Sequence, residues 1–163
     1  MTYYDEISEG YEELHKEEQL KKVSLIKKHL KVNSSDKLLD VGCGTGVTTE
    51  PWECKRYGVD PAPKLLARAR NKDEIEYKLG PAEKIPYPDG YFDVVISITA
   101  IQNFQDIEKG LKEIKRVGKD RFVLSFLKRS EKRENIINLI KKHFTIEKVI
   151  EEDKDLIYFT GSR

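Results

Sequence analysis

Apolar residues recur along this chain in two rhythms. Leu20, Val23, Ile26 and Leu30, then Leu111, Ile114 and Val117, then Ile136, Ile137 and Ile140 repeat at three- and four-residue spacing, the signature of helices with one buried face. Val94-Val95-Ile96-Ser97-Ile98 is instead a nearly unbroken β-branched run, as expected of a central strand covered on both sides. Shorter runs of strand type fall at 37–41, 57–60, 76–79 and 121–127, with helices predicted over 64–70, 107–117 and 130–144. Pro61 and Pro63 open the first of these three helices, a position that tolerates proline. The N-terminal segment 3–30 reads as helical, with Gly10 interrupting it, and 33–36 is a turn cluster. Two last runs, 146–150 and 156–160, are joined by the charged stretch Glu151-Glu152-Asp153-Lys154-Asp155 and read as a hairpin. Five strands in β-α-β alternation with a terminal antiparallel pair predict an α/β three-layer domain.

The chemistry concentrates where the first strand ends, at Leu38-Leu39-Asp40-Val41-Gly42-Cys43-Gly44-Thr45-Gly46. Three glycines at alternate positions after an apolar run predict a tight turn from strand into a short helix, which Pro51 must stop. Such a turn lets backbone approach a ligand and offers it amide N–H donors. The spacing Asp-x-Gly-x-Gly-x-Gly differs from the Gly-x-Gly-x-x-Gly of dinucleotide sites, and its carboxylate suits a cationic ligand better than a phosphate. Asp60 closes the second strand, 14 positions beyond Gly46, where an acid is placed to accept hydrogen bonds from ribose hydroxyls. Two acids at consecutive strand ends therefore point to a nucleoside. With a ligand loop downstream, Tyr4 and Tyr11 become candidate lid residues; otherwise they are aromatic anchors of a surface helix.

Composition narrows the partners only slightly. A charged fraction of 36% with net charge +1 describes a mixed surface and supplies no global field for nucleic acid or membrane. The 22 lysines and 18 glutamates against three glutamines follow a bias reported for hyperthermophile proteins. No apolar run approaches the roughly 18 residues of a membrane span, and the acidic start lacks a signal-type segment, so a cytoplasmic location is expected. Cys43 and Cys54 have neither a Cys-x-x-Cys spacing nor a nearby histidine cluster, and His15, His29 and His143 are scattered, so no metal site is expected. Trp52, after Pro51, reads as core packing.

Taken together, the glycine motif 40–46, Gly58-Val59-Asp60, and the Pro88-Asp89-Gly90-Tyr91-Phe92-Asp93-Val94-Val95 approach to the fourth strand resemble the class I S-adenosylmethionine-dependent methyltransferases of the methyltransferase-11 type. The resemblance runs from about Tyr4 to Thr160. It implies a Rossmann-like α/β/α sandwich over 37–163 with strand order 3-2-1-4-5-7-6 and strand 7 antiparallel, the segment 1–32 forming a helical lid, all within one domain over 1–163. It implies S-adenosylmethionine as cofactor, leaving as S-adenosylhomocysteine. Asp40 and the backbone around Gly42 and Gly44 would hold its amino-acid end, with Cys43 and Gly46 of the same loop also cofactor-binding, Asp60 would hold its ribose, and Pro61 one face of adenine. Ala82, Glu83 and Thr99, with Tyr4 and Tyr11 of the lid, complete the implied set. One position departs from many relatives, which carry an acid before the Ala-Glu after strand three where this chain has Pro81. Ala82 could still offer its N–H there, and Glu83 would be a substitute acceptor for the adenine amine.

Methyl transfer from a sulfonium is an in-line displacement that needs alignment and exclusion of water more than a dedicated base. Thr99, Gln102 and Asn103, at the end of the fourth strand, are candidates for contact with the acceptor; a polar loop and helix cap account equally for them. The strand does not end in Asn-Pro-Pro-Tyr or Phe, the signature of relatives that methylate amino groups of adenine, guanine or glutamine, so the resemblance disfavours those acceptors. Between Lys109 and Lys142 twelve Lys or Arg stand against four Asp or Glu, a patch suited to phosphate or to a set of solvated helix faces. A small molecule, tRNA or rRNA, and a partner subunit closing the pocket all remain open. So does an S-adenosylmethionine-binding module without activity of its own, while Asp40 disfavours a nicotinamide-dependent oxidoreductase.

Overall fold

The computed structural model describes residues 3–69 and 74–163, with only the backbone described for 3–9 and Tyr11. Seven strands, β1 (Lys37–Val41), β2 (Lys55–Asp60), β3 (Ile75–Leu79), β4 (Phe92–Ser97), β5 (Gly118–Leu127), β6 (Phe144–Glu151) and β7 (Asp155–Ser162), form one sheet. Their order is β3-β2-β1-β4-β5-β7-β6. The pairs among β1 to β5 are parallel, and β7 runs antiparallel to both β5 and β6. Order and antiparallel strand are as the resemblance implied.

Alternation along the strands divides the core in two. Leu38 of β1, Val94 and Ile96 of β4 and Val123 of β5 join Val23 and Ile26 of helix α1 (Tyr3–Lys27) and Trp52 in one cluster. Leu39, Val95, Phe122 and Leu124 point the other way and join Leu111, Ile114, Ile136 and Ile140 in another. The last four belong to α3 (Ile107–Val117) and α4 (Arg133–His143). The short α2 (Pro63–Ala69) packs Leu66 and Ala69 against Cys43 and Tyr77. A sheet clad by helices on both faces follows from strands that are apolar at successive positions.

Three expectations need correction. The helix α1 runs through Gly10, whose exposed, open position lets the backbone continue; glycine weakens a helix by about 1 kcal/mol without forbidding it. No helix follows Gly46: residues 46–51 form successive turns, with Gly46 C=O accepting from the N–H groups of both Thr49 and Glu50. Val47, Thr48 and Thr49 are poor helix formers, Pro51 ends the segment, and the threonine hydroxyls have a better partner below them. Finally, Asp155 is the fully buried first residue of β7, paired in register with Leu127, and not part of the exposed connection. Arg70, the predicted end of the helix after Pro63, lies outside the described residues.

Candidate functional site

The parallel strands β1, β2 and β4 end at one edge of the sheet, and a cavity of about 490 Å³ opens there, the size range of a small-ligand site. Gly42, Cys43, Gly44 and Thr45 form one wall, Asp60, Pro61 and Leu65 a second, Pro81, Ala82 and Glu83 a third. Thr99, Ala100, Asn103 and Phe104, from the end of β4 and the 3-10 turn Ile101–Asn103 that follows it, make the fourth. His15 and Gln19 of α1 close over it.

Gly42 and Gly44 have φ of +78° and +54°, the left-handed region. At Gly42 a side chain is excluded on two grounds, since a Cβ there would lie 2.6 Å from that of Ala100. At Gly44 a Cβ would meet nothing within 4 Å, so its bare backbone faces open space on the cavity wall. The loop is tied to the next strand: the N–H groups of Gly42 and Cys43 donate to Val59 C=O (2.8 and 3.1 Å), and that of Gly44 to Asp60 Oδ2 (2.9 Å). Asp60 Oδ1 accepts from Ala62 N–H at 2.8 Å. The carboxylate is thus oriented from both sides while retaining lone pairs at the cavity edge.

The other acid goes elsewhere. Residues 38 and 40 share a strand face, so Asp40 points with Leu38 into the protein below the loop and is fully buried off the cavity wall. Its Oδ2 accepts from Thr48 and Thr49 hydroxyls at 2.6 and 2.8 Å, which is what the turns after Gly46 accomplish. Burial raises its pKa to about 6, partly offset by these two hydrogen bonds. Gly46 also lies off the wall, where an added Cβ would run into the Tyr77 hydroxyl. Cys43 is buried on the wall, and burial pushes its thiol well above the ordinary range. Glu83 lines the cavity while its Oε2 accepts from Asp106 N–H at 3.0 Å. Thr99 and Asn103 face the cavity, whereas Gln102 turns inward and donates to Thr99 C=O at 2.8 Å. The side chains of Tyr4 and Tyr11 lie outside the described residues. Trp52 is buried, donating to Thr48 C=O at 3.0 Å.

The profile of the methyltransferase domain family matches residues 39–126, more than half of the chain. The chain belongs to this family. Its members are the class I S-adenosylmethionine-dependent methyltransferases, and S-adenosylmethionine is the cofactor the membership implies. An uncharacterised protein of Methanocaldococcus jannaschii is 30% identical over 126 residues, covering 76% of this chain and 49% of that protein. The demethylmenaquinone methyltransferase of Chlorobaculum tepidum is 39% identical over 96 residues, 56% of this chain and 40% of that one. The chain thus spans at most about half the length of these curated relatives. A solved S-adenosylmethionine-dependent methyltransferase of Thermotoga maritima superposes with a TM-score of 0.75 at 19% identity, covering 98% of each chain, and shares the fold.

The residues present fit that cofactor. Gly44 leaves room for a ligand against bare backbone, Asp60 holds a carboxylate oriented at the edge, and Leu65, 41% exposed, offers an apolar surface on the same wall. Reading the sequence alone misses Leu65, Gln19 and His15. Leu65 follows Asp60 and Pro61 at the start of α2, the signal that could find it, whereas His15 and Gln19 lie on a helix more than twenty residues before the glycine loop and carry no local signal.

Proposed function

We propose that this methyltransferase domain transfers a methyl group from S-adenosylmethionine to a small neutral or cationic acceptor. The observation that carries the reading is the convergence of Gly44, Asp60, Leu65 and Ala82 on one cavity in a chain of this family. Gly42 and Gly44 would receive the amino-acid end of the cofactor, Asp60 the ribose hydroxyls, Pro61 and Leu65 the adenine faces, and Ala82 N–H an adenine nitrogen. The cofactor supplies an electrophilic methyl when bound. The protein's part is to align the acceptor on the Thr99 and Asn103 side and to exclude water, with α1 as cover through His15 and Gln19. The carboxylate of Asp40, buried beneath the loop, would act on the cationic ligand only through the fold of the turns it supports.

The charge of the walls supports the acceptor class. Asp60, Glu83 and His15 line the cavity, but among the described residues no Lys or Arg does. Of the twelve basic residues between Lys109 and Lys142, Arg116 is ion-paired with Glu113 and Asp89, Lys119 with Asp93, Arg121 with Asp36, and Lys142 with Glu108. The run lies off the cavity wall, where a phosphate-rich acceptor would meet the carboxylates of Asp60 and Glu83 instead.

Calorimetric titration with S-adenosylhomocysteine and with NAD tests the cofactor, and binding of NAD alone would refute the proposal. Time-dependent formation of S-adenosylhomocysteine is then followed with cell extract divided into small molecules and RNA. Turnover with the small-molecule fraction, unchanged in Lys128→Glu/Arg129→Glu, is expected. Turnover confined to RNA and lost in that variant would overturn the acceptor class, and tight binding without turnover on any fraction would favour a binding module acting with a partner.

A further inference from the structure

The wall of the cavity opposite the glycine loop rests on a buried ion pair that the reading above does not use. Lys22 of α1 is 1% exposed and Asp155 of β7 is 0% exposed, with Nζ 3.2 Å from Oδ1. Replacing a buried pair by apolar residues is often neutral or favourable, so stability alone is a poor account of its presence. What it surrounds is Thr99. That residue has φ +57°, a left-handed conformation unfavourable for a β-branched side chain. Its hydroxyl donates to Asp155 Oδ2 at 2.6 Å and accepts from Lys22 Nζ at 3.0 Å. Its N–H is shared between Ser125 Oγ at 2.9 Å and Ser125 C=O at 3.2 Å, and Ser125 Oγ donates in turn to Asp155 Oδ2 at 2.9 Å. Lys22 also donates to Gln19 Oε1 at 2.8 Å, which ties the network to a second cavity residue.

The next residue, Ala100, is the one whose methyl would lie 2.6 Å from a Cβ on Gly42. The conformation of Thr99 therefore sets how closely the turn after β4 approaches the glycine loop. We infer that Lys22 is a positioning residue: paired with Asp155, it holds Thr99 in its left-handed conformation and thereby fixes the contact of Ala100 with Gly42 that closes one end of the cavity, making ligand affinity depend on a side chain that does not line the cavity. The inference rests on the cavity being the cofactor site.

The test is calorimetric titration of S-adenosylhomocysteine into a set of variants. Lys22→Met/Asp155→Asn removes both charges together, so neither is left buried alone. It is expected to bind at least tenfold more weakly than wild type while keeping the far-ultraviolet circular dichroism of the folded chain. Adding Thr99→Gly should recover most of that loss, because glycine adopts positive φ without support. A purely structural role for the pair predicts no such rescue. Ser125→Ala keeps both charges, removes one support of Thr99, and asks the same question in a milder change: affinity should fall several-fold and return with Thr99→Gly. Wild-type affinity in the charge-free pair, or in Ser125→Ala should the pair not fold, overturns the inference, as does a loss that Thr99→Gly leaves untouched. Failure of the wild-type chain to bind S-adenosylhomocysteine would instead refute the cofactor reading on which the inference stands.

Discussion

Two turns face each other across the cavity and solve one geometrical problem in opposite ways. Both take the chain sharply away from the end of a parallel strand through the left-handed region, at Gly42 and Gly44 after β1 and at Thr99 after β4. The glycine turn needs little help, since its donors reach Val59 and Asp60 on the neighbouring strand and no side chain opposes its dihedrals. The threonine turn opposes a β-branched side chain and is held by groups from α1, β5 and β7, 77, 26 and 56 residues away in sequence. What the second arrangement gains is a tie from the cavity wall to the buried Lys22–Asp155 pair, made by the Thr99 hydroxyl. A glycine turn is self-contained; a threonine turn exists only inside a finished fold.

The largest effect expected from breaking this contrast comes from the support of Thr99. Lys22→Met alone leaves the Asp155 carboxylate buried without its cation and should lower the unfolding free energy by about 3–5 kcal/mol in chemical denaturation. The charge-free Lys22→Met/Asp155→Asn pair should lose much less. Equal losses in the two would show that the cation contributes packing and not charge compensation. Next in size is Gly42→Ala, which combines left-handed strain with an overlap against Ala100, together about 3–4 kcal/mol. A loss under about 1 kcal/mol there would mean that the two turns are not in firm contact at Gly42 and Ala100.

Asp40 tests the glycine turn from beneath. Its pKa is raised by burial from the ordinary 3.8 to about 6, so between those values the native chain holds a proton that the unfolded chain has released. Stability contributed by this group therefore falls as pH rises through that window, by about 3 kcal/mol over its full extent, and is level above it. In Asp40→Asn that component is absent, so the difference in unfolding free energy between variant and wild type should change in the variant's favour from pH 4 to pH 7. A difference that stays constant with pH would place the ionisation outside this range.

The same contrast explains what the sequence alone makes legible. The apolar runs, the order of strands and the glycine loop are local or periodic features, and residues 107–117 form a helix over the predicted span because Asp106 caps it, accepting from Lys109 N–H, and Val117 ends its apolar face. Asp40 was visible as an acid at a strand end, but its direction depends on the strand parity that sends it with Leu38 into the interior, and on threonines that turn back when a helix was expected. Gly10 reads as a break because a propensity of about 1 kcal/mol is all the sequence offers, and the finished helix outweighs it. Asp155 lies within a run of five charged residues and looks solvated; only Lys22, more than a hundred residues earlier, marks it as interior. Long-range compensation between charges leaves no trace in local pattern.

The smallest effect belongs to Gly44, and it sharpens the comparison most. Its φ of +54° resembles Thr99's +57°, yet no atom stands within 4 Å of an added Cβ. Gly44→Ala therefore isolates the backbone term, about 1 kcal/mol or some 3 °C in Tm, free of any clash. Gly44→Asn should cost less, since asparagine tolerates the left-handed region. Because the added group projects from a wall of the cavity, affinity for S-adenosylhomocysteine should fall in both variants by more than the stability change alone requires. If Ala at 44 instead costs as much as Ala at 42, the glycine turn is rigid for reasons other than its contact with Ala100, and the closed end of the cavity is set by the loop after β1 and not by the supported threonine across from it.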